Sequence, residues 1–259
     1  MPRLSEKASE SRLTDPAECK ARLEAALEAE IKCKVCRDIG WVLVKGELKR
    51  CRCMKEDDEQ RKNERFLKMC QLPSGSQHMT LENFRRNPGM KEAYDAALQL
   101  ADESSDIKWV TLMGGVDRGK THLGIAICRR WLQRGKAARY AFVPTLLDEL
   151  RQGFEREGEE SYAMKFNFYC NVPMLVLDDL GTEKRSDWVT EKLDTIVDYR
   201  YINALPLVVT TNLPMDELSP RIASRLQRAE FGRIVVLEVP EYRLRRRKGE
   251  ESYNRGYKQ

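Results

Sequence analysis

The chain is 259 residues long, 41% hydrophobic and 34% charged, with 46 Lys and Arg against 41 Asp and Glu. That length admits one large domain, or one domain with a small appendage, and can bury a sizeable core. No apolar run approaches membrane-spanning length and no signal peptide opens the chain, so no membrane partner and a cytoplasmic location are expected. The formal net charge of +5 sits from Tyr242 to Gln259, where seven Lys or Arg face two Glu and the remainder is neutral overall. In a reducing compartment, clustered cysteines point to metal rather than to disulfides.

In chain order, Met1 to about Thr14 is polar and reads as a frayed terminus. Asp15-Pro16 supplies a helix cap and a first helical residue. Leu23, Leu27 and Ile31 follow at four-residue spacing, which predicts a short amphipathic helix packed on a neighbour. Cys33-Lys-Val-Cys36, fourteen residues, then Cys51-Arg-Cys53 gives two knuckles joined by Gly40-Trp-Val-Leu-Val44 and a Lys45-Gly46-Glu47 turn, a hairpin pattern. Four thiolates can close a tetrahedral Zn²⁺ site that substitutes for the core so small a module cannot build. The competing reading is four unrelated thiols, and C-x-C is tighter than the usual C-x2-C. Catalytic zinc is not expected, because protein fills all four positions. Cys19, Cys70, Cys128 and Cys170 have no comparable partners and read as small hydrophobes.

Charge dominates residues 55–69, a solvated helix ending before Leu72-Pro73-Ser74-Gly75-Ser76. A domain boundary is placed there, giving a module over 1–71, a larger domain over 72–248 and a polar tail over 249–259. A helix is expected over 90–100, with Ala93, Ala96, Ala97 and Leu100 on one face. Strands are expected at 107–113, 138–143, 174–177, 207–211 and 234–239, with helices between them. That alternation predicts an α/β fold, a mostly parallel sheet covered on both faces with ligand sites at the carboxyl ends of its strands.

The first expected strand runs into Gly114-x4-Gly119-Lys120-Thr121 and then a helix carrying Leu123, Ile127 and Trp131, the pattern of a phosphate-binding loop. Gly114, Gly115, Val116, Asp117, Arg118, Gly119, Lys120, Thr121 and His122 are therefore the expected ATP- or ADP-binding segment. Small residues let backbone N–H groups close around polyphosphate, Lys120 reaches the β- and γ-phosphates, and the Thr121 hydroxyl ligates Mg²⁺. His122 by its own character reads as structural or surface, and His78 as surface. Pro173-Met-Leu-Val-Leu-Asp178-Asp179 fits a buried strand delivering Asp178 towards Mg²⁺ and Asp179 towards an attacking water. Two adjacent acids after a strand are commonly only a turn, and it is the loop upstream that favours the catalytic reading. Val208-Val-Thr-Thr-Asn212 ends a strand in a side chain suited to orient that water, although Asn before Leu-Pro is also ordinary turn chemistry.

Taken together, Gly114-x4-Gly119-Lys120-Thr121-His-Leu, Leu-Val-Leu-Asp178-Asp179-Leu-Gly, Thr-Thr-Asn212, Arg221-Ile-Ala-Ser-Arg225-Leu and Glu-Tyr-Arg243 resemble the DnaC/DnaI-type AAA+ helicase loaders. The related IstB transposition ATPases share most of these motifs, and the four-cysteine module is similar to that of DnaI-like loaders. The resemblance implies an AAA+ ATPase of bacterial or phage origin, with Asn212 as sensor 1, Arg225 as an arginine finger reaching a neighbouring subunit and Arg243 as a sensor 2 equivalent. It implies a replicative hexameric helicase and single-stranded DNA as partners, with self-association in the ATP state. Residue by residue, Arg221 and Arg225 also fit an exposed helix face at i, i+4. The nineteen residues after Pro240 are too few for the full helical lid of many AAA+ proteins. The tail Arg243-Leu-Arg-Arg-Arg-Lys248, with its tyrosines, reads either as a nucleic-acid contact or as a solvated tail.

The leading expectation is ATP-dependent loading of a replicative helicase. The alternatives are an IstB-like ATPase preparing target DNA for a transposase, and a non-hydrolysing nucleotide-gated adaptor. One residue departs from the family pattern, which usually has glycine where this loop has Asp117. Its carboxylate is expected to weaken nucleotide binding or turnover.

Overall fold

The computed structural model describes residues 31–156, 159–184, 186–228 and 230–239. The expected amphipathic helix before Cys33, Cys19, Arg243 and the basic tail lie outside the described residues. Two compact units part between Arg61 and Lys62.

In the first unit, β1 (Trp41–Val44) and β2 (Glu47–Arg50) form an antiparallel hairpin with Trp41 opposite Arg50 and Val44 opposite Glu47. Its two loop residues, Lys45 at φ 53° and Gly46 at φ 84°, are both left-handed. That backbone matches the twist of paired strands, which is why so short a loop closes the hairpin. Neither strand contains a buried residue, so apolar packing contributes little here. Helix α1 (Arg52–Cys70) follows.

The second unit is built on five parallel strands in the order β4-β5-β6-β3-β7. They are β3 (Trp109–Met113), β4 (Ala138–Phe142), β5 (Met174–Leu180), β6 (Leu207–Thr211) and β7 (Gly232–Val236). The helices are α2 (Lys91–Asp102), α3 (Lys120–Gln133), α4 (Val143–Arg156), α5 (Glu159–Asn171), α6 (Asp187–Ile202) and α7 (Pro220–Arg228).

Side-chain alternation along the strands feeds two cores. Val110, Leu112, Val176 and Val208 pack with Leu100 of α2 and with Leu123, Ile127 and Trp131 of α3. Leu175, Leu177, Leu207 and Val209 pack on the other face with Leu146, Leu150, Leu193, Ile196 and Ile222. Central strands buried on both faces read as unbroken apolar runs, and this is the covered parallel sheet the sequence predicts. Arg200, fully buried in α6, donates to the carbonyls of Tyr169, Cys170, Pro173 and Pro206 and so satisfies backbone at the ends of neighbouring elements.

Several strand limits differ from expectation, β4 ending at Phe142 where Val143 opens the next helix. β3 begins at Trp109 rather than at 107, and β7 spans 232–236 rather than 234–239, because its register places Gly232 beside Trp109 and Val236 beside Met113. β5 runs on through both acids to Leu180, with an irregularity between Leu177 and Leu180 where Asp179 takes φ 62°.

Candidate nucleotide site and four-thiol centre

The loop between β3 and α3 has the backbone its sequence demands. Gly114 has φ 132°, and a Cβ there would lie 2.7 Å from the Leu237 carbonyl oxygen, so only glycine fits. Asp117 takes the left-handed φ of 58°, which Asp tolerates better than most residues because its short polar chain can bond locally. Gly119 at φ 85° lies against Phe84, whose ring would stand 3.0 Å from an added Cβ.

Lys120 opens α3 and is turned into the loop. Its ammonium donates to the Gly114 and Gly115 carbonyls at 2.7 and 2.6 Å and to Asn212 Oδ1 at 2.8 Å. Burial pulls its pKa down, and the charges of Asp179 and Asp178 oppose that shift. Asn212 Nδ2 in turn donates to Asp179 Oδ1 at 2.7 Å, so one amide joins the loop lysine to the second acid. Burial first and Asp178 second push the Asp179 carboxyl up.

Asp178 is 3% exposed. It accepts the Thr121 hydroxyl at 3.1 Å on each oxygen, the Thr210 hydroxyl at 2.7 Å on Oδ1 and the Tyr140 hydroxyl at 2.7 Å on Oδ2. The Tyr140 phenol is held well above its ordinary pKa by burial and by the Asp178 charge, so it remains a donor. A hydroxyl and a carboxylate converging this closely are hard oxygen donors of the kind Mg²⁺ takes, usually together with substrate phosphate. The residues therefore fit the expected cation.

These groups open on a cavity of about 780 Å³ lined by the loop from Val116 to His122, by Asp178, Asp179, Thr210 and Asn212, and by Phe84 and Met90. The volume is within the range of small-molecule sites. His122 Nε2 lies 2.8 Å from the Thr80 carbonyl oxygen, so that nitrogen carries the proton, and its ring meets Phe84 edge-on at 5.2 Å. Burial depresses its pKa. Arg118 lines the cavity and donates to the Leu237 carbonyl at 2.7 Å. His78, exposed as expected, sits on the cavity rim.

Arg225 is not in this chain's cavity. Its Nε donates to Asp198 Oδ1 at 2.6 Å, its guanidinium lies 4.8 Å from the Tyr201 ring centroid, and Arg221 pairs with the same carboxylate.

Tyr140, Thr210 and Phe84 were not among the expected site residues. Thr210 was legible beside Thr211-Asn212. Nothing in the spacing links Tyr140 to Asp178, because they meet only through the β4–β5 register, in which Phe142 faces Asp178.

In the first unit, the Sγ atoms of Cys33, Cys36, Cys51 and Cys53 all lie within 4.8 Å of one another. Cys33–Cys51 is 3.7 Å and Cys36–Cys53 is 3.4 Å, close to the edge of about 3.8 Å that a tetrahedron with Zn–S near 2.3 Å requires. Asp38 accepts the N–H groups of Lys32 and Cys33 at 3.1 and 2.8 Å, and the Gly40 N–H donates to Cys36 Sγ at 3.3 Å. Backbone donors at Cys36 and Val35 lower the Cys33 thiol to about 7, whereas Cys53 is pushed up, chiefly by its bond to Cys36. Four thiolates this close repel unless a cation sits among them. Cys70, Cys128 and Cys170 are buried, as small hydrophobes would be.

The sequence model for IstB-like ATP binding proteins matches residues 22–235. The chain is 26% identical over 212 residues to the replicative helicase loader DnaC of Escherichia coli strain K12, covering 80% of this chain and 86% of that protein. It is 27% identical over 122 residues to the replicative helicase loader DnaI of Bacillus subtilis strain 168, covering 47% and 38%. The crystal structure of the DnaC helicase loader aligns with a TM-score of 0.56 at 23% identity, over 64% of this chain and 100% of that one. The replication initiator DnaA bound to AMPPCP and single-stranded DNA aligns with a TM-score of 0.57 at 22% identity, over 69% and 56%. Both structural likenesses bear on the fold, which is that of an AAA+ domain. With the phosphate loop, paired acids and Asn212 converging on one cavity and more than half the chain matched, this protein belongs to the family of IstB-like ATP binding proteins.

Proposed function

We propose that this protein is an ATPase that loads a hexameric replicative helicase onto single-stranded DNA, in a bacterial or phage-infected cytoplasm. The observation that carries the ATPase reading is the chain of bonds from the loop through Lys120 and Asn212 to Asp179. Polyphosphate offers Lys120 a stronger acceptor than the Gly114 and Gly115 carbonyls, so nucleotide entry draws the ammonium away from Asn212. Asn212 and Asp179 then orient water, with Asp179 accepting its proton. Thr121 and Asp178 would hold Mg²⁺, which would supply charge stabilisation at the transferred phosphoryl.

Arg225 acts between subunits, so turnover depends on ATP-driven self-association. Arg243 serves as the sensor 2 equivalent. Asp117 keeps turnover slow. The four-thiol unit binds structural Zn²⁺, and residues 1–71 form the helicase-gripping module. Similarity to DnaC across most of the chain supports the loader reading.

Pull-down from purified components is the test. A hexameric helicase should be retained by the parent and lost on deleting residues 1–54. Stable association with a transposase instead would overturn the loader reading in favour of target-DNA preparation, the alternative that the family match keeps open.

A further inference from the structure

Beneath the residues that face the cavity is a buried hydroxyl that the scheme above leaves without a role. Tyr140 is 7% exposed and does not line the cavity, yet its hydroxyl is bonded to Asp178 Oδ2 at 2.7 Å. From the opposite neighbouring strand, Thr210 donates to Asp178 Oδ1 at 2.7 Å while accepting the Asp179 N–H at 2.9 Å. Asp178 lies on β5, between β4 and β6 in the sheet. Each oxygen is therefore held by one hydroxyl from a different flanking strand. The third hydroxyl, Thr121, stands 3.1 Å from both oxygens.

A carboxylate oxygen has two acceptor positions. Tyr140 and Thr210 occupy one on each oxygen and leave the side turned to Thr121 for a cation. Mg²⁺ tolerates little departure from octahedral geometry at about 2.0–2.1 Å, so a carboxylate free to rotate would bind it less well than one fixed from both sides.

We propose that Tyr140 and Thr210 are positioning residues that orient Asp178 for the divalent cation accompanying a bound nucleotide, and so set the cation concentration at which the site fills. This rests on the nucleotide reading of the cavity. A tyrosine that merely satisfied a buried acid would, when lost, lower stability and leave cation dependence unchanged.

The experiment follows binding of a fluorescent ATP analogue by anisotropy, titrated with MgCl₂ and repeated in EDTA, on the full chain. Tyr140→Phe keeps the ring and removes one donor. Its Mg²⁺ half-saturation should rise by about tenfold, the usual scale for losing an outer partner of a metal ligand. Affinity in EDTA should stay within about twofold of the parent. Thr210→Val should shift Mg²⁺ dependence in the same direction, and Thr210→Ser, which keeps the hydroxyl, should restore it. If Tyr140→Phe does not fold, the Val and Ser pair at Thr210 decides the matter. Parent-like Mg²⁺ half-saturation in the folded variants would overturn the proposal. Lys120→Ala separates the two readings: if it binds the analogue as the parent does, the nucleotide reading has failed and the proposal falls with it. If it abolishes binding while Tyr140→Phe and Thr210→Val match the parent, the positioning role alone has failed.

Discussion

Asp117 satisfies the loop's backbone and brings a carboxylate to the cavity wall. Its φ of 58° is one that aspartate tolerates, so the loop closes without glycine. The same residue lines the cavity meant for phosphate. At about 6 Å and an effective dielectric near 20, a carboxylate and a phosphate charge repel by roughly 2–3 kcal/mol. Asp117→Gly should therefore bind ATP at least about tenfold more tightly and turn it over faster, measured by calorimetry and phosphate release. Equal affinity in the two proteins would show that the carboxylate is directed away from the phosphates.

His122 makes a second prediction at the same scale. Burial, opposed by the Thr80 carbonyl and assisted by the nearby His78, lowers its folded pKa. Below the unfolded value near 6.5 the unfolded chain thus binds more protons than the folded one, and stability falls as pH falls. His122→Gln, which keeps an N–H donor for Thr80, should lose less stability than the parent between pH 7 and pH 5 in denaturant titrations. Identical pH slopes would remove His122 as the cause.

The hairpin unit and the parallel sheet are stabilised in opposite ways. The strands β1 and β2 bury nothing, whereas the four sulfurs meet within 4.8 Å. Strands with so little buried apolar surface leave the hairpin to be stabilised by a crosslink, the role a metal among the four thiols would fill. Elemental analysis should find about one equivalent of zinc. Chelation should abolish amide-exchange protection at residues 41–50 while leaving it intact along β3, β5 and β6. A metal-free sample with a protected hairpin would disprove the assignment. Within the sheet, the two acids sit at the end of a strand because the apolar run before them is buried on both faces and only its carboxyl end meets the cavity.

At the scale of the molecule, two arginines on α7, Arg221 and Arg225, share one carboxylate, Asp198. Arg225 is held by Asp198 within its own chain, and its side chain remains 29% exposed. If it serves a neighbour's nucleotide, Arg225→Ala should bind nucleotide within about threefold of the parent yet lose the rise in specific turnover with protein concentration. A variant with lower melting temperature and the parent's concentration dependence would assign Arg225 a structural role only.

The sequence by itself determined the alternation of elements, the phosphate loop with its aspartate, the paired acids, Asn212 and the four cysteines. Each is encoded locally, by apolar periodicity, by glycine at positions of left-handed backbone, or by ligand spacing within one short segment. Strand order, the exact ends of β5 and β7, and the contacts of Tyr140 and Phe84 were decided only by tertiary structure. Tyr140 reaches Asp178 across 38 residues through strand register, and Phe84 reaches Gly119 through the packing of a preceding segment onto the loop. Neither relation leaves a periodic trace, because register and packing depend on which surfaces meet rather than on the spacing of residues along one segment.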